Sequence, residues 1–137
     1  MSESLRKVDY FYVMVPNTAG QGAKVMNGLA AEGVNLLACS AFPSGRRAQF
    51  DLIPADIAKL KRAAKNLGLT LSAKKTGFLY QAKDKPGGLT AIADKLAAAK
   101  INVTALDAVT SGDGRFGAIF WVKPEAVAKA ARVLGAK

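Results

Sequence analysis

The chain has 137 residues, 50% hydrophobic and 22% charged, enough apolar material for one ordinary domain or two very small ones and too much for a disordered tail. Lys and Arg total 20 against 10 Asp and Glu, a net charge of +10, and there is no histidine, which removes the usual neutral-pH general base and the commonest metal ligand. One cysteine, Cys39, excludes an internal disulfide framework and a Cys/His zinc finger. No apolar run approaches the roughly 20 residues that span a bilayer, and Met1 to Asp9 lacks the apolar stretch of a signal peptide. These features predict a soluble, cytoplasmic globular protein with little catalytic equipment.

Asp9 to Val15 is rich in aromatic and β-branched residues, as a strand is. Asn17-Thr18-Ala19-Gly20 combines turn formers with helix-start signals, and Gly33 closes the helix that follows. Asn35 to Phe42 predicts a second strand, Ser44-Gly45 a hairpin turn and Ala48 to Ile53 a third strand. Pro54 is placed at the start of a second helix, where a missing N–H costs nothing, and that helix runs to about Leu67. Leu69 to Lys74 is read as a fourth strand.

The same order then recurs. Asn17 to Gly45 aligns without gaps on Asp84 to Gly112, with nine of 29 positions identical, including Gly20/Gly87, Leu29/Leu96, Asn35/Asn102 and Gly45/Gly112. This marks an internal repeat with an offset of 67 residues. Thr76 to Lys83 is the first strand of the second copy. Leu89, Ile92, Leu96 and Ala99 form one apolar helical stripe that Lys100 closes. Asn102 to Val109 and Phe116 to Val122 are strands about the turn Ser111-Gly112-Asp113-Gly114, and Pro124, matched to Pro54, opens a helix to about Leu134.

Each copy therefore reads β-α-β-β-α-β, an α+β ferredoxin-like sandwich of an antiparallel sheet and two helices, repeated in tandem. The expected domains are residues 1–75 and 76–137, with residues 1–8 a short tail. The second copy lacks its last strand, because only Gly135, Ala136 and Lys137 follow Leu134. Its absence bares the edge of Thr76–Lys83, and bare edges pair, so a strand from the first copy or a second chain is expected there.

Charge is spread along the chain, with net +4 over residues 1–68 and net +6 over 69–137. The densest stretch, Lys59 to Lys65, reads as the solvated side of a helix whose buried side holds Ile57, Leu60, Ala64 and Leu67. The net charge predicts weak association with polyanions at low salt.

Chemistry concentrates at the turn before each first helix. In Asp84-Lys85-Pro86-Gly87-Gly88-Leu89, two glycines let a ligand approach the main chain. The helix start offers unpaired N–H groups to a carboxylate, and Asp84 suits an ammonium group. A free amino acid presents both. Asn102 opens the strand after the helix and both donates and accepts. Asn17, Gly20 and Asn35 hold the matching places in the first copy. The plainer reading makes Asp84 and Asn17 caps of their turns and the glycines strain relief.

The run Asp84 to Leu89, a helix, and then Ile101-Asn102-Val103-Thr104-Ala105 resembles the signature of ACT domains. The first copy resembles it through Asn17-Thr18-Ala19-Gly20 and Val34-Asn35-Leu36, with no Asp-x-Pro-Gly turn. The resemblance covers nearly the whole chain and implies small ferredoxin-like regulatory modules that bind amino acids between the glycine turn of one domain and the second strand of a neighbour. Carried onto this chain, it implies a ligand site drawn from Asn17, Gly20, Asn35, Asp84, Gly87, Gly88, Leu89 and Asn102. The expectation is a non-enzymatic, free-standing tandem sensor, a homodimer without metal, cofactor or membrane association, acting allosterically on a protein partner.

Two other readings stand beside it. One is an RNA-recognition-like module, which needs aromatics on its first and third strands; Phe116 fits the first stacking position but Ala118 occupies the second. The other is a degenerate interaction domain with no ligand. Catalysis is disfavoured by the absence of histidine, of a Gly-x-Ser-x-Gly elbow and of a phosphate loop, and Cys39, in an apolar strand, is expected to be buried and inert.

Overall fold

The computed structural model describes residues 3–137. The elements are β1 (Ser4–Pro16), α1 (Gln21–Ala31), β2 (Leu36–Ser44), β3 (Arg47–Pro54), α2 (Ile57–Leu67), β4 (Lys75–Lys83), α3 (Thr90–Ala98), β5 (Val103–Thr110), β6 (Arg115–Val122), a 3-10 turn (Pro124–Ala126) and α4 (Val127–Leu134). None of the described helices is long and apolar enough to cross a membrane. The chain divides into two compact units, Asp9–Lys75 and a second made of Thr76–Lys137 together with the residues up to Val8.

In the first unit the strand order is β2-β3-β1, antiparallel throughout. Alternation along β1 puts Phe11, Val13 and Val15 on one face, where they pack with Val25 and Leu29 of α1, Leu52 of β3 and Leu60 and Ala63 of α2. α2 starts where the Asp56 carboxylate accepts from Lys59 N–H (3.2 Å) and ends at Gly68 in the left-handed region. Its basic side chains Lys59, Lys61, Arg62 and Lys65 are exposed while Leu60 and Ala64 are buried. Leu67, expected in the buried stripe, is 38% exposed and lies over Gly28 of α1 instead.

Three expectations are corrected in this unit. Leu69–Lys74 is not a strand: it meets β1 at Ser72 and Tyr12, where Ser72 N–H donates to Tyr12 O (2.9 Å) but the Ser72 hydroxyl, not a backbone carbonyl, accepts from Tyr12 N–H (2.9 Å). A side chain standing in for the carbonyl stops the ladder from continuing. Pro54 does not open a helix. It is the last residue of β3, opposite Leu36, the place that Val122 holds opposite Val103, so the offset is 68 residues in the third strands and Pro54 has no match in Pro124. Cys39 is exposed rather than buried, because β2 ends the strand order and only its alternate residues, Leu36 among them, face the helices.

In the second unit the order is β1-β4-β6-β5. Ser4–Val8, the first part of β1, belongs to this unit, and β1 is the neighbour of β4 in the strand order. The boundary that gave residues 1–8 to the first domain as a tail is thereby corrected; residues 1 and 2 lie outside the described residues. Leu5 packs on the core, and Tyr80 Oη donates to Glu3 Oε2 (2.7 Å). The core stacks Phe78 on Phe120 (centroids 5.2 Å apart) beneath Ile92 and Leu96 of α3 and Ala130 and Leu134 of α4. α3 ends at Lys100, a non-glycine residue at φ 59, where the first unit has Gly33 at φ 75.

Candidate functional site

The second unit contains an open hollow of about 540 Å³ at the start of α3. One end is the turn Asp84 to Leu89; the walls are Thr90 and Ala93 of α3 and Ala108, Val109 and Thr110 of β5; Phe116 of β6 closes the remaining side. The turn is held by local bonds: Gly88 N–H donates to Lys85 O (3.2 Å), Thr90 N–H to Gly87 O (3.0 Å), and Thr90 Oγ1 to the same carbonyl (2.8 Å). Gly87 sits at φ +74, a conformation that L side chains rarely adopt, and this lets the chain reverse into α3. α3 starts without a side-chain cap; Thr90 N–H is taken by Gly87 O, and the partial positive charge of the helix start remains at the turn.

The Cβ direction at Gly88 is taken by a side chain. A Cβ at Gly88 would lie 2.8 Å from Cε1 and 3.0 Å from Cζ of Phe116, so the missing side chain makes room for the ring. Tyr80 meets that ring edge-on (centroids 5.7 Å apart) and holds it. The β5–β6 hairpin is fixed by Thr110 Oγ1 donating to Arg115 O (3.0 Å) and by Asp113, which accepts from the Ser111 hydroxyl and from Arg115 N–H. The bond from Ser111 is the main reason that the Asp113 carboxyl is held below the usual carboxylate range.

Of the expected site residues, Asp84, Gly87, Gly88 and Leu89 come together in the hollow. Asn102 does not join them: it precedes β5 while Val109 is near the other end, roughly 20 Å along the strand. In the first unit Asn17 and Gly20 lie at the hairpin end, where Asn17 N–H donates to Arg46 O (3.2 Å). Asn35 lies at the opposite end, where its carbonyl accepts from Ala55 N–H (2.9 Å). Glycine turn and asparagine thus sit at opposite ends of the second strand in each unit. Ala93, Ala108 and Val109 were not singled out from the sequence. Only the apolar character of neighbouring Leu89 and Ile92 hinted at a wall there. Phe116, which fits a base-stacking position by sequence, faces the helix side of the sheet with Tyr80, not an open platform.

Among the described residues no group of three or more Cys, Asp or Glu side chains is placed to hold a metal. Asp84 and Lys85 are the charged side chains of the hollow, and both are exposed.

The fold, an antiparallel sheet with helices packed on it, is α+β and consistent with ACT-like and ferredoxin-like folds. No protein-family model matches the sequence, and no curated protein sequence matches it. Among solved structures, protein BT0572 from Bacteroides thetaiotaomicron shares the fold at a TM-score of 0.81, 17% identical, over 96% of this chain and 88% of that one. The ligand-free regulatory subunit of aspartate kinase from Thermus thermophilus matches at 0.63, 15% identical, over 98% and 95%. E. coli aspartokinase III in complex with aspartate and ADP matches at 0.55, 12% identical, over 97% of this chain and 32% of that one. At these identities the likeness is one of fold.

Proposed function

We propose that the chain is a non-enzymatic regulatory protein of two tandem ACT-like copies that binds a free amino acid at the start of α3. The observation that carries this reading is the hollow itself, which joins the Asp84–Leu89 turn to the end of β5. Asp84 pairs with the ammonium group, and Lys85 with the uncapped first turn of α3 takes the carboxylate. The kinship of fold with an aspartate kinase regulatory subunit supports a regulatory role.

In this reading binding acts by population shift, stabilising one arrangement of the protein that a partner reads. We further propose a homodimer through β5, which ends the strand order of its unit and exposes Leu106 (42%) and Val109 (74%). Such pairing brings a second copy's surface to the open side of the hollow. It is the means by which residues from opposite sheet ends, such as Asn102 and Asp84, come to share one ligand.

The test is thermal denaturation with each of the twenty amino acids at millimolar concentration, on wild type and on Asp84→Asn. A ligand at about 100 times its dissociation constant adds about 2.7 kcal/mol, a shift of several degrees. A shift for one or a few amino acids, lost in Asp84→Asn, is the expected result. No shift with any of the twenty sinks the proposal.

A further inference from the structure

The hollow is divided by chemistry. Its charges, Asp84 and Lys85, are on the turn, while the part between α3 and β5 presents Leu89, Ala93, Ala108 and Phe116. The hydroxyls bordering this part are committed, Thr90 Oγ1 to Gly87 O and Thr110 Oγ1 to Arg115 O. A ligand whose α-amino and α-carboxyl groups engage the turn therefore directs its side chain into an apolar slot. That slot offers a charged side chain no countercharge. We infer that the site selects an amino acid with an aliphatic side chain, and that Ala93 and Ala108 determine this choice; the inference rests on the amino-acid reading above.

Ala93 and Ala108 set the size of the slot. Ala93 of α3 and Ala108 of β5 both line the hollow and both are exposed, so each is a short side chain whose missing atoms leave space rather than one packed into the core. The position 67 residues before Ala93 is Met26, which packs against the first unit's core, and there the Phe50 ring lies 3.2 Å from a Cβ placed on Gly22. The two copies differ at this position, Met26 in the first and Ala93 in the second, while Ala41 stands 67 residues before Ala108. The selective site is therefore assigned to the second copy.

A side chain entering the slot gains by burying methylene groups, each worth up to about tenfold or more in discrimination. A carboxylate or ammonium in its place loses hydration without gaining a partner. The experiment titrates L-valine, L-leucine, L-isoleucine, L-aspartate, L-glutamate and L-lysine into the full chain by calorimetry, for wild type, Ala93→Met and Ala108→Leu. The expected result is at least one aliphatic amino acid binding about tenfold or more tighter than the charged three, with that binding lost in both variants. Both positions are exposed, so the variants are expected to fold, and unchanged far-ultraviolet circular dichroism verifies it. Binding of a charged amino acid as tight as any aliphatic one overturns the inference and leaves the amino-acid reading standing. Aliphatic binding unaffected by both variants overturns the assignment to Ala93 and Ala108. Binding of none of the six, when the wider set of twenty also fails, overturns both.

Discussion

Gly88 and Phe116 are complementary: the glycine has no Cβ, and the ring occupies the place where one would lie, 2.8 Å from Cε1. Gly88→Ala is expected to cost about 1–2 kcal/mol by pushing the ring aside. In a Phe116→Leu background the same change is expected to cost little, because the shorter side chain leaves the gap open. Chemical denaturation of the four proteins as a double-mutant cycle checks this, and equal costs in both backgrounds would refute it.

Lys100 is held at φ 59, the left-handed region, at the end of α3. An L residue there is strained by about 1 kcal/mol or more, whereas glycine is not. Lys100→Gly is expected to raise stability by up to about 1 kcal/mol, offset in part by the greater freedom of glycine in the unfolded chain. Lys100→Ala gives no gain. Midpoints of thermal unfolding for the two variants discriminate strain relief from loss of the lysine charge.

Tyr80 is pushed up to about 12 from 10.0, first by burial, then by the hydrogen bond it gives to Glu3 and by the charge of that carboxylate. The folded-state value is the raised one, so this contribution is complete below pH 10 and is lost as pH rises from 10 toward 12. The stability difference between wild type and Tyr80→Phe is expected to be about 1–2 kcal/mol at neutral pH and to shrink across that window. Tyr10 is also pushed up to about 12, by burial first and then by the Asp51 carboxylate and Tyr12. Tyrosinate absorbance in the folded protein is therefore expected to keep rising past pH 11, and Tyr80→Phe removes one such late component.

Asp56 caps α2 through the bond it accepts from Lys59 N–H. Asp56→Ala is expected to cost about 1 kcal/mol and Asp56→Ser to recover most of it. Equal losses in both variants, measured by urea denaturation, would show that the negative charge rather than the cap is what matters.

The local elements were legible because their causes are local. Alternation of Phe11, Val13 and Val15 makes a strand wherever it lies, the Leu89–Ile92–Leu96 stripe makes a helix, and Gly87 permits the turn. The repeat was legible for the same reason. The sequence alone therefore determined most of the order of elements and the turn at Asp84 to Leu89, and it left the neighbour of β4 open. Only the tertiary structure decided who that neighbour is, because pairing of Ser4–Val8 with the second unit spans some seventy residues that no local pattern reports. The same holds for Ser72, whose hydroxyl ends the pairing that Leu69–Lys74 was expected to make. It holds for the hollow too: Phe116 reaches Gly88, and Ala93 and Ala108 line one hollow, across sequence separations of 28 and 15 residues, an arrangement set by packing rather than by propensity.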